Sequence, residues 1–140
     1  MPPAAHVLAA KTDRWTEILF RALSARAAKR WRFVSFRGRG GKEWRGVVDV
    51  IGIRKNTDAP KHASLRRGDL FDVVLIQLKG GSAPAPSTTD CLRLRAVKRY
   101  YRAREVVLFS WRRGERCTFQ RLERNGHWSD PVPAVALFGR

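Results

Sequence analysis

Four side chains have the types and spacing needed to hold a divalent cation beside a phosphate. Gln77 and Lys79 stand two residues apart, directly after the apolar run at residues 73–76. Because a β-strand has a period of two, both side chains should project from the same face of that strand. Asp49 interrupts a second apolar run, at residues 46–54, and Glu17 lies on a predicted N-terminal helix.

If the two apolar runs pair as strands, Asp49 meets Gln77 and Lys79 at one end of a sheet. The carboxylate of Asp49, the amide oxygen of Gln77, the backbone carbonyl of Leu78 and the carboxylate of Glu17 form a hard-oxygen set suited to Mg²⁺. Lys79 could then orient or deprotonate a water and offset phosphate charge. The chemistry that this set favours is metal-assisted phosphodiester hydrolysis.

Structural explanations compete with this interpretation. Asp49 could be a buried aspartate satisfied by backbone groups or by Lys79. Gln77 and Lys79 could simply end an exposed edge strand. Glu17 falls in the first turns of the predicted helix, where an acidic side chain usually complements the helix dipole.

The charge of the chain indicates a polyanionic partner. With 29 Lys and Arg against 12 Asp and Glu in 140 residues, the net charge is +17. Nucleic acid is the expected partner. A membrane surface is disfavoured because the basic residues are spread along the whole chain, and there is no apolar run long enough to span a bilayer. Two cysteines make neither a disulfide framework nor a zinc site, so a cytoplasmic location is expected.

A basic helix and a glycine-rich turn are the predicted contacts to nucleic acid. The segment at residues 91–104 is rich in Arg and Lys and contains no acidic residue until Glu105. Such a row is often only a solvated face, but its self-repulsion favours phosphate contact. At least one of Tyr100 and Tyr101 should face the core. The predicted nucleic-acid-binding residues are Arg95, Lys98, Arg99 and Arg102 on the helix, and Arg37 and Arg39 in the turn.

The periodicity of the chain predicts a small α/β domain. Residues 1–12 are interpreted as a loose leader and residues 13–140 as a single domain. Thr12 or Asp13 is the predicted N-cap of the first helix, and Asp90 that of the second. The predicted helices span residues 14–30 and 91–104, the predicted strands span residues 31–36, 46–54, 69–81, 105–111 and 116–124, and residues 128–140 close over the sheet edge.

The order Glu17, then Asp49 in GVVDVIG, then Gln77-Leu78-Lys79 resembles the PD-(D/E)XK nuclease superfamily. The resemblance covers roughly residues 13–110. It implies a restriction-endonuclease-like core (αβββαβ), a mixed sheet flanked by helices, here with an added C-terminal strand. It also implies that Asp49, Gln77 and the Leu78 carbonyl bind metal, that Lys79 is catalytic and that Glu17 is a further ligand. The superfamily most often has Asp or Glu where Gln77 stands, and glutamine is similar to Mrr-type and Holliday-junction-resolvase-like nucleases.

The function implied by the resemblance is an endonuclease that uses Mg²⁺ (or Mn²⁺) to hydrolyse phosphodiester bonds in DNA. Cutting is expected to be structure-selective or partner-directed, because the chain has no room for a separate sequence-reading domain. Two alternatives stay open: a non-catalytic nucleic-acid-binding module on the same fold, and an RNA-directed nuclease. A homodimer is compatible with the resemblance, since superfamily members often work as homodimers.

Overall fold

The computed structural model describes residues 5–36 and 46–139, with side chains from residue 11 onward. Eight elements follow one another along these residues. They are α1 (Ala5–Ser24), β1 (Arg32–Ser35), β2 (Val50–Lys55), β3 (Phe71–Gly80), α2 (Thr88–Tyr101), β4 (Glu105–Trp111), β5 (Thr118–Arg121) and α3 (Ala134–Phe138).

The five described strands form one mixed sheet in the order β1-β2-β3-β4-β5. Neighbouring strands are antiparallel except for β3 and β4, which are parallel. Parallel strands need a crossover connection, and α2 provides it. The α/β class with a mixed sheet, predicted from the sequence, is therefore confirmed, and the β4 bounds agree with the prediction.

Strand β3 is buried on both faces of the sheet, which explains why its apolar run is continuous and does not alternate. Val74, Ile76 and Leu78 belong to the core cluster that includes Phe20 of α1. Leu75 belongs to the opposite cluster, which is covered by α2. By the period of two, Gln77 and Lys79 lie on the α2 face.

Helix α1 is longer at its start than the sequence predicted. It begins at Ala5, so it includes most of the predicted leader, and neither Thr12 nor Asp13 caps it. It ends at Ser24, so the predicted end at residue 30 is wrong, and residues 25–30 form turns. Alanine-rich residues favour helix strongly. The buried side chains Thr16, Phe20 and Ser24, spaced by four, fix the helix on the sheet. As a result Glu17 lies well inside the helix and does not complement its N-terminal dipole.

Helix α2 begins with a capping box at Ser87 and Asp90, so Asp90 is the third helical residue and not the N-cap. Its buried stripe consists of Cys91 and Leu94. Tyr100 is 80% exposed and Tyr101 is 62% exposed. The expectation that one of them faces the core is therefore wrong, because the buried stripe ends before the last turn.

The C-terminal segment closes the α1 face of the sheet with a short helix that was not predicted. Leu137 and Phe138 of α3 are buried, and the indole Nε1 of Trp31 donates a 2.8 Å hydrogen bond to the Phe138 carbonyl. Among the described residues, no helix combines the length and apolarity needed to cross a membrane.

Candidate active site at the end of strand β3

Asp49 lies where β2 begins to pair with β3. The first residue of β2, Val50, is opposite Ile76; Asp49 directly precedes this pair along the chain and Gln77 directly follows it on β3. The backbone N–H of Asp49 donates to the Ile76 carbonyl at 3.0 Å. Its carboxylate Oδ2 accepts a 2.7 Å hydrogen bond from the backbone N–H of Leu78. The Asp49 carboxylate therefore accepts the Leu78 N–H hydrogen bond that a backbone carbonyl would accept if the strand pairing continued.

The Leu78 carbonyl shares this edge of β3 with the Asp49 carboxylate. Within a strand, the N–H and C=O of one residue point toward the same neighbouring strand. Since the Leu78 N–H points toward Asp49, its C=O points to that side as well. Two oxygen ligands of the predicted cation site are thus brought to one edge.

Gln77 is the unusual residue of the site. It is 6% exposed, and its Oε1 has no hydrogen-bond partner among the described residues. Its neighbour across the sheet on β4 is the apolar Leu108. An unsatisfied buried polar group costs about 1–3 kcal/mol. The unpartnered oxygen of Gln77 indicates that a ligand is its partner. An amide oxygen can bind a metal cation directly or accept a hydrogen bond from a metal-bound water.

Lys79 lies two residues further along the same face, half-buried and opposite Ser110 of β4. It forms no ion pair with a carboxylate of the part of the chain that the structure describes. The alternative in which Lys79 satisfies Asp49 is therefore not realised. The ammonium group stays available for a ligand at the end of β3.

Helix α1 reaches the same end of β3 from the opposite face. A Cβ atom at Gly80 would collide with the Thr16 hydroxyl, and one at Gly81 would lie 2.9 Å from the Thr12 methyl group. Two glycines after Lys79 therefore let the helix approach closely.

Glu17 follows Thr16 on that helix. Its Oε1 is buried without a partner among the described residues, and its Oε2 lies 3.8 Å from Nε of Arg21. Glu17 is thus near the end of the sheet at which Lys79 lies. Its helix, α1, packs against the face opposite to that of Lys79. The role of Glu17 as a metal ligand stays a prediction.

Comparison with protein-family models, with curated proteins and with solved structures finds no match to this chain. The geometry of the site therefore carries the functional argument. In the described ranges, no three His, Cys, Asp or Glu side chains are grouped so that they could hold a metal ion. The donor set at β3 depends instead on one carboxylate, one amide oxygen and one backbone carbonyl.

Helix α2 runs along the face that carries Gln77 and Lys79. As the crossover between two parallel strands, it starts at the Lys79 end of β3 and returns to the start of β4. Arg99 and Arg102 are exposed and Lys98 is half-buried. Arg95 is also half-buried, and its Nη1 would lie 3.6 Å from a Cβ atom at Gly126. Arg95 therefore lies beside the turn after β5.

Arg37 and Arg39 of the glycine-rich turn lie outside the described residues. Their assignment as nucleic-acid contacts stays a prediction. The sequence also could not indicate that Gln77 Oε1 is unpartnered, because that property depends on the neighbours of Gln77 across the sheet.

Proposed function

We propose that the chain is a divalent-metal-dependent endonuclease with a restriction-endonuclease-like core, acting on DNA. The observation that carries the proposal is the unpartnered oxygen of buried Gln77. Asp49 is bonded to the two residues that flank Gln77: its backbone N–H donates to the Ile76 carbonyl, and its carboxylate accepts from the Leu78 N–H. The resemblance in motif order between Glu17 and Lys79 supports the same assignment.

The order of elements also supports this proposal. Helix α1, the antiparallel strands β1 to β3, the crossover helix α2 and the parallel strand β4 follow the αβββαβ order that the motif resemblance implies. Strand β5 adds to the β4 edge as the extra C-terminal strand. The proposed catalytic residues fall on β3 and beside the first residue of β2, as the superfamily pattern requires.

The residues at the end of β3 fit a Mg²⁺ or Mn²⁺ ion. Asp49, the Gln77 amide and the Leu78 carbonyl offer hard oxygens, and one of these carries a negative charge. Proteins usually hold Mg²⁺ through one or two carboxylates together with waters and substrate phosphates. A single carboxylate therefore suffices when a phosphodiester completes the coordination. Such an ion, when bound, would polarise the phosphodiester and acidify a water.

The protein groups have separate roles in the proposed reaction. Asp49 is held in place by Leu78 and supplies the anionic ligand. Lys79, on the same face as Gln77, donates hydrogen bonds to a phosphate oxygen or to the attacking water and offsets the charge that builds up on the phosphate. Helix α2 and the net charge of +17 attract the nucleic-acid backbone.

The proposal is tested by incubating the chain with labelled duplex, nicked, branched and single-stranded DNA, and with RNA. Each substrate is combined with Mg²⁺, with Mn²⁺ and with EDTA. We expect cleavage of at least one DNA substrate with either metal and none with EDTA. Absence of cleavage from every combination would refute the catalytic assignment, and cleavage of RNA alone would favour the RNA-directed alternative.

A second candidate is a nucleic-acid-binding module that does not cut. The specific observation in its favour is the single carboxylate of the β3 donor set, since Gln77 replaces the second acidic ligand of the superfamily pattern. This candidate predicts salt-sensitive binding of nucleic acid with no cleavage under either metal. Calorimetric titration with the metal distinguishes the endonuclease from the binding module, because a module without a cation site releases no heat of metal binding.

A further inference from the structure

A second cluster of cations lies at the opposite end of the sheet from Lys79. Two cavities of about 290 and 370 Å³ share Arg30, Arg54 and Lys55 in their walls. The larger one adds Arg104 and the carboxylates Asp58 and Asp72. Among the described residues of its wall, four cations stand against two carboxylates, an excess of two positive charges.

Arg54 is held rigidly within this cluster. Its Nε donates a 3.0 Å hydrogen bond to Oδ2 of Asp72, and its guanidinium lies over the Trp31 ring at 4.6 Å. Its side chain is 8% exposed. A buried guanidinium that is already oriented loses little entropy when it binds an anion.

Asp72 organises the neighbours of Arg54 as well. Its Oδ1 accepts a 3.0 Å hydrogen bond from Nδ2 of Asn56, and its Oδ2 lies 3.7 Å from Nη1 of Arg104. Asp72 therefore joins β2, β3 and the start of β4 at one point. Arg30 and Lys55 are exposed and have no ion pair with a described carboxylate, so an external anion is the group that would balance them.

The cluster and the candidate active site lie at opposite ends of β3. By the period of two, Phe71 lies on the same α2 face as Lys79, whereas Asp72 and its cross-strand partner Arg54 lie on the α1 face with Trp31.

Phe71 lines the smaller cavity at the start of β3, and Lys79 lies near its end. At about 3.3 Å per residue, the eight steps between them span about 26 Å. Helix α2 runs between the two ends, and its exposed Tyr100 and Tyr101 lie at the cavity end. A duplex rises about 3.4 Å per base pair, so about eight base pairs connect the two sites.

We propose that this cavity binds a backbone phosphate of the same nucleic acid that reaches Lys79, and so acts as a distal anchor. The inference takes its ligand class from the proposed function, but it does not require that the chain cuts. It predicts a minimum length for tight binding: a duplex shorter than about eight base pairs cannot reach both ends of β3.

The test compares two double variants that change the net charge equally. Arg30→Gln with Lys55→Gln removes two cations of the cavity wall, whereas Arg26→Gln with Arg124→Gln removes two exposed arginines that line neither cavity. Affinity is measured by fluorescence anisotropy in EDTA, over a series of salt concentrations, for duplexes of about 24 and about 6 base pairs. EDTA keeps cleavage out of the measurement.

We expect the cavity variant to bind the long duplex about tenfold more weakly than the control variant. The slope of log K against log salt should fall by about 1.8, because each lost phosphate contact contributes about 0.9. The short duplex should bind both variants equally. A titration of the protein's tryptophan fluorescence with inorganic phosphate tests whether the cavity takes a free anion instead, since Trp31 lies against Arg54.

Three outcomes would overturn the inference. One is an equal loss in both double variants, which would mean that only net charge matters. Another is tight phosphate binding in the cavity while the cavity variant binds the long duplex as the parent does. A third is the absence of duplex binding by the parent. If the chain binds DNA but does not cleave it, the proposed catalysis is refuted, and the proposal that the cavity binds a backbone phosphate is unaffected.

Discussion

The carboxylate of Asp49 accepts a 2.7 Å hydrogen bond from the backbone N–H of Leu78, the residue that directly follows Gln77 on β3. This contact couples the start of β2 to the Lys79 end of β3 through a side chain. It gives Asp49 a structural role that can be separated experimentally from the proposed metal-binding role.

Replacing Asp49 in two ways separates those roles. Asp49→Ala leaves the Leu78 N–H without this acceptor and should lower the free energy of unfolding by about 1–3 kcal/mol. Asp49→Asn keeps an acceptor oxygen, so its stability should stay near that of the parent while Mn²⁺ binding and cleavage are lost. Urea unfolding and metal calorimetry provide the two readouts. Equal stability of the alanine variant and the parent would mean that the hydrogen bond does not contribute in solution.

Lys79→Ala should reduce cleavage by about 10²-fold or more, the usual range for a group acting on the transferred proton or charge. Nucleic-acid affinity should change only slightly, because one of many cations is removed. Lys61→Ala serves as the matched control, since Lys61 is exposed in the connection between β2 and β3. Single-turnover cleavage and anisotropy are the measurements, and parent-like cleavage by Lys79→Ala would refute its catalytic role.

Two substitutions of Gln77 have opposite expected effects. Gln77→Leu removes the unpartnered amide and should stabilise the fold by about 1–2 kcal/mol while abolishing metal binding. Gln77→Glu adds a second carboxylate and should destabilise the metal-free protein. With Mn²⁺ it should bind the ion about tenfold more tightly, which adds about 1.4 kcal/mol of metal-dependent stability at saturation. Thermal unfolding with and without Mn²⁺ checks both, and the same response to metal in all three proteins would exclude Gln77 as a ligand.

Gly80→Ala should destabilise the fold by about 1–3 kcal/mol, because the new methyl group would collide with the Thr16 hydroxyl and push α1 away from β3. Gly46→Ala is the control, since a Cβ atom at Gly46 meets no atom within 4 Å. Chemical unfolding measures the difference. If both variants are equally stable, α1 does not pack against the end of β3 as closely as described.

The cations at the C-terminal end of α2 and at its C-cap should contribute to the salt dependence of binding. Lys98→Gln, Arg99→Gln and Arg102→Gln together should reduce the slope of log K against log salt by about 2.7. Arg95→Gln alone should change it less than Arg99→Gln alone, because Arg95 lies beside the turn at Gly126. Binding isotherms at several salt concentrations check this order, and a larger effect of Arg95→Gln would contradict it.

The sheet was largely predictable because its strands have strong local signals. The apolar run before Gln77 and the run at residues 105–111 are continuous, as strands buried on both faces must be. Helix α1 was misjudged at its start because the residues before Thr12 were interpreted as a loose leader, whereas they continue a helix whose position depends on packing. The burial of Tyr100 or Tyr101 in the last turn of α2 was wrongly predicted. The spacing of apolar residues along a helix does not show where the sheet surface beneath that helix ends.

The sequence by itself determined the charge, the α/β class, the shared face of Gln77 and Lys79, and the order of the residues that resemble a nuclease motif. These follow from composition and from the two-residue period of a strand. Only the tertiary structure decided that Asp49 is fixed on the Leu78 N–H, that the Gln77 oxygen has no described partner, and that α1 packs against the opposite face from Lys79. Those properties depend on strand register and on neighbours distant in the chain, which residue types and local spacing do not encode.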